Sequence, residues 1–216
     1  EKVLLPDGDV LTLERFQSTG ILLGMGPGID QVHWLMDEAF AGSDKAQLSD
    51  VFLEQVMNIT SYHEGPLFAV IHESIYGQPN QSTSWSAQQV RAQYSEFDAD
   101  HSPLMLTGEM MYPWMFEQIT SLSPFAGAAN ALADYQDYTP LYDLAKLAQN
   151  KVPVVAAVYY NDMYVPQEFS MATAKYVGNT QVWLTNSYEH DGVRQSSEVF
   201  CKLRELLLDQ GGALKN

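Results

Sequence analysis

Cysteine is almost absent from this chain of 216 residues, in which Cys201 is the one example. A single cysteine cannot form a disulfide bond within the chain, so the sequence favours a reducing compartment. We therefore expect a cytoplasmic protein. Cys201 lies in a helical pattern near the end of the sequence, where we expect a small buried apolar side chain rather than a nucleophile.

Positive charge is also scarce. Lys and Arg total 11 against 27 Asp and Glu, which gives a formal net charge of −16. This negative field repels nucleic acids and anionic lipids, so neither is an expected partner. It mildly favours a substrate with a positive charge, such as a free peptide amine, although solubility is the simpler explanation of the charge. No apolar run reaches the length of a transmembrane helix, and the first residues do not resemble a signal peptide.

The chain does contain enough apolar side chains for a folded core. Hydrophobic residues make up 46% of it and aromatic residues 12%, which is typical of a globular protein. Helical spacing dominates the first part of the chain, and a capping pattern predicts that a helix starts after Ser49. Helices are predicted there within residues 29–62, 66–77, 85–97, 124–134 and 141–148.

The pattern changes after Asn150 and Lys151. A strand is predicted at 152–160, a helix at 166–177, a second strand at 181–186 and a helix at 195–209. Strands that alternate with helices indicate a parallel sheet. We therefore divide the chain into a mostly helical part, residues 1–150, and an α/β part, residues 151–216.

Three closely spaced glycines, Gly24, Gly26 and Gly28, resemble part of a dinucleotide-binding motif. The spacing to a further glycine is missing, and Pro27 would disrupt the turn that holds a phosphate. The sequence predicts a junction between helices at this point instead.

Two titratable side chains directly follow the two predicted strands. The segment V-V-A-A-V-Y-Y-N-D-M (154–163) presents Asp162, and W-L-T-N-S-Y-E-H-D-G (183–192) presents His190. An α/β-hydrolase supplies two members of its Ser–Asp–His triad in this way. On its position alone, Asp162 could equally be an aspartate that caps its loop or one that hydrogen-bonds a ring nitrogen of His190, which would then act as the general base. Asp143 and Asp191 are weaker candidates because neither follows a buried strand.

The serine of such a triad lies on a G-x-S-x-G motif earlier in the chain, and this motif does not occur in the sequence. We interpret the chain as the back part of a hydrolase whose nucleophile lies upstream of Glu1, and we expect the chain alone to be inactive. The other histidines fit structural or solvated positions: His33 on a helical face, His72 in the core, and His63 and His101 in loops.

Two glutamates lie in apolar segments, where a charge needs a partner. Glu73 ends the run at 66–73, and Glu109 lies within L-M-L-T-G-E-M-M-Y-P-W-M-F (104–116). Either carboxylate could bind an ammonium group, although a glutamate that ends a helix is an alternative account of Glu73. Aromatic side chains near them could line a small apolar pocket or pack in the core: Tyr76, Trp85, Tyr112, Trp114 and Phe116.

Five segments, in this order, resemble the larger bacterial prolyl aminopeptidases, also called proline iminopeptidases. They are H-E-S-I-Y-G-Q (72–78), T-G-E-M-M-Y-P-W-M-F-E (107–117), P-L-Y-D (140–143), V-Y-Y-N-D-M-Y-V (158–165) and Y-E-H-D-G-V-R (188–194). The resemblance implies an α/β-hydrolase fold and a serine exopeptidase that releases N-terminal proline from peptides. It implies no metal and no organic cofactor. The H-G-G-P-G-type oxyanion segment of the family is absent here, as is its serine motif.

The resemblance also assigns roles along the chain. Residues 1–150 would form the helical cap with its approaches, and residues 151–216 the last strands and helices of the hydrolase core. Asp162 and His190 would be catalytic. Cap glutamates of the family bind the free amine of the substrate, and here these would be Glu73 and Glu109. The proline pocket would draw on Tyr76, Tyr112 and Trp114.

Two other functions remain open from the sequence. Another α/β-hydrolase, such as an esterase or an epoxide hydrolase, would share Asp162 and His190 but would not need a carboxylate that binds ammonium. A non-enzymatic helical interaction domain would leave the Asp–His spacing unexplained. Two strands are too few for a stable open sheet, so we expect either the missing N-terminal part of the protein or self-association to cover the sheet edge.

Overall fold

A computed structural model describes residues 2–42 and 46–211. The described residues form two compact units. The helical unit comprises the described parts of Glu1–Leu22 and Ile29–Pro140, and the α/β unit comprises Leu23–Gly28 and the described part of Leu141–Asn216. The division after Pro140 precedes the boundary that we predicted at Asn150-Lys151. No described helix is both long enough and apolar enough to cross a membrane.

Short helices build most of the helical unit, with one small hairpin. Two-residue strands pair antiparallel there, at a point where the sequence showed no strong strand pattern. Short 3-10 helices of the described residues lie at Ser18–Gly24, which continues into the α/β unit, and at Glu73–Tyr76, Ser95–Phe97 and Ser123–Phe125. The main elements are α1 (Leu13–Gln17), α2 (Gly28–Asp37), β1 (Phe40–Ala41), β2 (Gln47–Leu48), α3 (Asp50–Thr60), α4 (Pro66–His72), α5 (Ser86–Arg91), α6 (Pro113–Gln118) and α7 (Ala126–Asp134).

Local signals account for several of these helix boundaries. The Ser49 hydroxyl accepts a hydrogen bond from the Phe52 N–H at 3.0 Å, so the predicted cap of α3 is confirmed. Pro66 occupies the first turn of α4, where its missing N–H costs nothing.

The prediction of a helix at 85–97 is wrong beyond Arg91, where α5 ends. The Phe97 carbonyl accepts side-chain hydrogen bonds from Gln17 at 3.0 Å and Arg91 at 2.8 Å, and these tertiary contacts replace helical ones.

Two apolar clusters form the core of the helical unit. One joins α4, α6 and α7 through Ala69, Val70, Met111, Tyr112, Met115, Phe116, Ile119, Leu122 and Ala129. The other joins the N-terminal turn to α2 and α3 through Leu5, Leu35, Ala39, Phe52 and Val56. His72 is buried next to the first cluster, as predicted. Its Nε2 atom has no hydrogen-bond partner among the described residues, so the expectation of a core histidine with satisfied hydrogen bonds is wrong.

A parallel strand pair forms the centre of the α/β unit. Its elements are α8 (Leu144–Ala148), β3 (Val154–Tyr159), α9 (Gln167–Tyr176), β4 (Thr180–Thr185), α10 (Gly192–Gln195) and α11 (Ser197–Asp209). Both strands are rich in β-branched and aromatic residues, which favour extended backbone. They pair in parallel from Val154 opposite Thr180 to Tyr159 opposite Thr185. The predicted alternation of strand and helix is confirmed.

One prediction about this unit is wrong. Cys201 is exposed on α11 rather than buried. Val199 provides the fully buried side chain of this helix instead, while Phe200 next to it is 64% exposed. The helical spacing was correct, but it did not specify which face of α11 packs against the sheet.

Candidate active site

The parallel register brings two loops to the same edge of the sheet. β3 and β4 end opposite each other at Tyr159 and Thr185. The Tyr160 N–H extends the ladder by donating to the Thr185 carbonyl at 2.8 Å. The loops that follow both strands therefore leave the sheet side by side, which is where α/β proteins place their sites. Asp162 lies on the first loop and His190 on the second.

These two side chains form the predicted hydrogen bond. The Nδ1 atom of His190 lies 3.0 Å from the Oδ2 atom of Asp162. The other carboxylate oxygen, Oδ1, accepts the backbone N–H groups of Tyr164 and Val165, each at 2.9 Å. The Asp162 side chain is 8% exposed and the His190 side chain 40%. The carboxylate is therefore held on both oxygens, while the imidazole remains accessible.

This arrangement determines the tautomer of His190. An ionised carboxylate only accepts hydrogen bonds, so Nδ1 of His190 must be the donor. A neutral ring then carries its lone pair on Nε2. A histidine in this state can accept a proton at Nε2 while the carboxylate stabilises the resulting imidazolium.

Two tyrosines that the sequence analysis did not single out surround the pair. The Tyr164 ring meets the His190 ring edge to face, with 5.0 Å between centroids and an angle of 66°. Burial raises the pKa of Tyr159, and the negative charges of Asp162 and Asp191 raise it further. Tyr159 therefore keeps its hydroxyl proton at neutral pH. Its hydroxyl lies so close to Gly192 that a Cβ atom there would be 2.6 Å away.

The competing aspartates have other partners. The Asp143 carboxylate caps α8 by accepting the Lys146 N–H at 3.0 Å. Asp191 accepts the Gly26 N–H at 3.0 Å and the side-chain amide of Gln195 at 2.5 Å. Burial alone would raise the pKa of Asp191, but these hydrogen bonds outweigh it and hold the pKa below its usual range.

The other histidines make contacts of different kinds. His33 is exposed on α2 and lies 3.4 Å from Asp37, one turn along the helix. His63 and His101 make local hydrogen bonds in their loops. His72 packs in the core of the helical unit between the Phe68 and Tyr76 rings.

In the helical unit, the two predicted glutamates lie near one tyrosine. Glu73 is 4% exposed and accepts the Ser86 N–H, at the start of α5, at 2.8 Å. Burial raises the pKa of Tyr76, and the charges of Glu109 and then Glu73 raise it further. Both carboxylates therefore contribute to the raised pKa of the same hydroxyl. We call Glu73, Tyr76 and Glu109 the acidic cluster.

The other predicted pocket residues divide between core and surface. Tyr112 is 3% exposed and belongs to the first apolar cluster. Its ring stacks on Trp114 at 6.1 Å, and the Arg91 guanidinium lies 5.4 Å from its centroid. The indole N–H of Trp114 is buried and has no hydrogen-bond partner among the described residues. Tyr76, by contrast, is 53% exposed.

A cavity of about 470 Å³ lies between the end of α3 and the start of α4. None of the residues of the acidic cluster or of the Asp–His pair lines it. Its wall consists of Asn58, Ser61, Tyr62, His63, Glu64, Gly65 and Phe68.

Comparison with known proteins now connects these features to a family. No protein-family model matches the chain. A proline iminopeptidase of Aeromonas sobria is 41% identical over 197 residues, which cover 91% of this chain and 45% of that protein. The chain is homologous to proline iminopeptidases. A second relative, proline iminopeptidase aneH of Aspergillus aculeatus, is 32% identical over 213 residues, or 97% of this chain and 47% of the relative.

The resemblance that the sequence motifs predicted is thus confirmed. The chain spans about half the length of the curated proline iminopeptidases that it matches. The motifs did not reveal the contacts around the loop that carries His190. These contacts are made by Gly24, Gly26, Tyr159 and Tyr164. The glycine spacing was visible in the sequence, but a contact between residues 165 positions apart left no local signal there.

Proposed function

We propose that this chain is the C-terminal part of an α/β-hydrolase serine peptidase that releases N-terminal proline from peptides. The observation that carries the proposal is the hydrogen bond from His190 to Asp162 at the ends of two neighbouring parallel strands. Homology to proline iminopeptidases supports the substrate class. The peptidase would act in the cytoplasm.

In this mechanism, a serine hydroxyl from the upstream part of the protein attacks the carbonyl of the first residue. Nε2 of His190 takes the hydroxyl proton, and Asp162 stabilises the imidazolium through Nδ1. The imidazolium then gives its proton to the leaving amine, which departs with the rest of the peptide. A water molecule releases proline in a second cycle of the same proton transfers.

The helical unit would supply substrate recognition as a cap. In the proposed enzyme, residues 1–150 form the cap with its approaches and residues 151–216 belong to the hydrolase core. An exopeptidase must recognise a free terminus, and an ammonium group needs a carboxylate partner. The acidic cluster offers two, on Glu73 and Glu109. Tyr76 and the partly exposed Trp114 offer apolar surface for a proline ring, whereas Tyr112 is buried and would support the Trp114 ring on which it stacks.

The proposal is tested by His190→Ala in the full-length protein, with His33→Ala as the control on an exposed histidine. We expect His190→Ala to lower kcat on a proline aminoacyl substrate by about 10³-fold or more, because the general base is lost. His33→Ala should leave kcat unchanged. Full activity of His190→Ala would overturn the proposed mechanism.

A second comparison separates a peptidase from an esterase or an epoxide hydrolase. The substrate is offered with a free amine and with the amine acetylated, and ester and epoxide substrates are assayed alongside. An exopeptidase should lose activity on the blocked substrate because the ammonium group is gone. Equal turnover of the free and blocked substrates would favour the other hydrolases.

A further inference from the structure

A short glycine-containing segment belongs to the α/β unit although the sequence on either side of it belongs to the helical unit. Leu23–Gly28 clusters with residues that follow Pro140. We call Gly24, Met25 and Gly26 the GMG segment. Its contacts are concentrated on the loop that carries His190.

Two hydrogen bonds join the GMG segment to this loop. The backbone N–H of His190 donates to the Gly24 carbonyl at 3.3 Å. The backbone N–H of Gly26 donates to Oδ1 of Asp191 at 3.0 Å. Consecutive loop residues, His190 and Asp191, are thus bonded to alternate residues of the GMG segment.

The side-chain packing favours glycine here, more strongly at position 24, which faces a ring, than at position 26, which faces the flexible end of Gln195. A Cβ atom at position 24 would lie 2.1 Å from the Tyr164 ring, and one at position 26 would lie 1.9 Å from the Gln195 side-chain nitrogen. Tyr164 in turn packs edge to face against the His190 ring. Gly24 therefore makes room for the ring that flanks the imidazole.

We propose that the GMG segment and Asp191 position His190 for proton transfer, with Asp191 as a positioning residue rather than a catalytic one. The inference rests on the proposed function of His190. The Asp162 carboxylate fixes one ring nitrogen, but the side chain of His190 is 40% exposed and needs its backbone held as well. Small displacements of a reacting group lower rates strongly, by about 10²-fold for a shift of about 1 Å.

The decisive comparison is between Asp191→Ala and Asp191→Asn in the full-length enzyme. The asparagine side-chain oxygen still accepts the Gly26 N–H, whereas alanine offers no acceptor. We expect Asp191→Ala to lower kcat by about 10- to 100-fold with a much smaller change in KM. Asp191→Asn should restore most of this loss. If both variants lose activity equally, the charge of Asp191 matters rather than its hydrogen bond, and the proposal is overturned.

Asp143→Ala is the matched control, because Asp143 also precedes a short helix of the same unit and its carboxylate also accepts a backbone N–H. Loss of this cap should cost stability without changing kcat. If Asp143→Ala lowers kcat as much as Asp191→Ala does, the effect of Asp191→Ala is explained by general destabilisation of the unit. That result would overturn the proposal.

Amide hydrogen exchange tests the contact between Asp191 and Gly26 without an activity assay. In Asp191→Ala, peptides that contain residues 188–192 should exchange faster, while Asp191→Asn should resemble the wild type. Unchanged exchange in Asp191→Ala would overturn the proposal. If the wild-type enzyme had no proline peptidase activity, the proposed function would fail, and the exchange comparison would still decide whether Asp191 fastens the loop.

Discussion

At the scale of single residues, the two oxygens of the Asp162 carboxylate have different hydrogen-bond partners. Oδ1 is held by two backbone N–H groups of its own loop, and Oδ2 faces His190. The carboxylate is therefore held by its own loop independently of His190, as the proposed proton transfer requires. Glu73 is similar, because one of its oxygens accepts the Ser86 N–H.

The contact between Glu73 and Ser86 makes Glu73→Gln a sharp test of amine recognition in the full-length enzyme. Glutamine keeps the oxygen that accepts the Ser86 N–H and removes only the charge. We expect kcat/KM on free-amine substrates to fall by an amount equivalent to about 2–5 kcal/mol, as for a buried charge that loses its partner. Glu109→Gln should have a smaller effect. Labelling by a serine-directed probe should not change in either variant.

Glu54, which is exposed on α3, provides the control for this experiment. Glu54→Gln removes the same charge from the same unit and should leave kcat/KM unchanged. If Glu73→Gln and Glu109→Gln both retain the wild-type kcat/KM, neither carboxylate binds the amine.

At the scale of elements, a buried ion pair ties the N-terminal turn and α1 to the end of α6. Nη1 of Arg15 lies 2.8 Å from Oδ2 of Asp9, and the same carboxylate accepts the N–H and the hydroxyl of Thr120. Arg15 is fully buried, and its Nε donates to the Thr60 hydroxyl at 3.0 Å. Burial alone would raise the pKa of Asp9, but the bonds from Thr120 and Arg15 lower it below its usual value of 3.8.

This pair predicts how stability depends on pH. Because the folded pKa of Asp9 lies below the unfolded one, its stabilisation is complete above about pH 4 and is lost as pH falls through the folded value. Asp9→Asn should cost about 3 kcal/mol at neutral pH, since buried Arg15 loses its close partner charge and keeps only the Asp7 carboxylate, 3.9 Å from Nη2. The deficit should shrink below about pH 4.

Urea unfolding of the chain at several pH values measures this effect. Asp100→Asn, a substitution of an exposed aspartate in the same unit, is the control and should change stability little at any pH. A deficit for Asp9→Asn that stays constant down to about pH 2 would contradict the linkage to Asp9 ionisation.

At the scale of the whole molecule, charge and sheet edges have opposite effects on association. Among the described residues, β3 and β4 pair only with each other, so each strand has one edge without a strand partner. Such edges favour association with other strands. The net charge of −16 opposes association through mutual repulsion.

Salt should therefore shift the purified chain toward oligomers, because it screens repulsion more than backbone hydrogen bonding. We expect light scattering after size exclusion to show a larger mass in about 0.5 M salt than in about 0.05 M salt. Leu184→Lys, on β4, should reduce this association, since a charge on an edge strand disfavours pairing.

Leu13→Lys, at a similarly exposed leucine of the helical unit, is the control and should leave the oligomers unchanged. A monomer under both salt conditions, or an equal effect of the two lysine variants, would contradict association through the sheet.

Several features could be predicted from the sequence because their causes are local. Alternation of β-branched strands with helices predicted the β3–α9–β4 unit, and Ser49 predicted the start of α3, since both depend on residues within a few positions of each other. The Asp162–His190 contact also followed, because parallel strands bring their ends to one edge. The five motifs predicted the homology to proline iminopeptidases.

Other features were decided only by the tertiary structure. The early end of α5 depends on Gln17, and the loop of His190 depends on Gly24 and Gly26, which lie far away in sequence. The exposure of Cys201 depends on which face of α11 packs against the sheet. In each case a distant backbone or side chain competes with the local preference, and periodicity within a short window carries no information about such a partner.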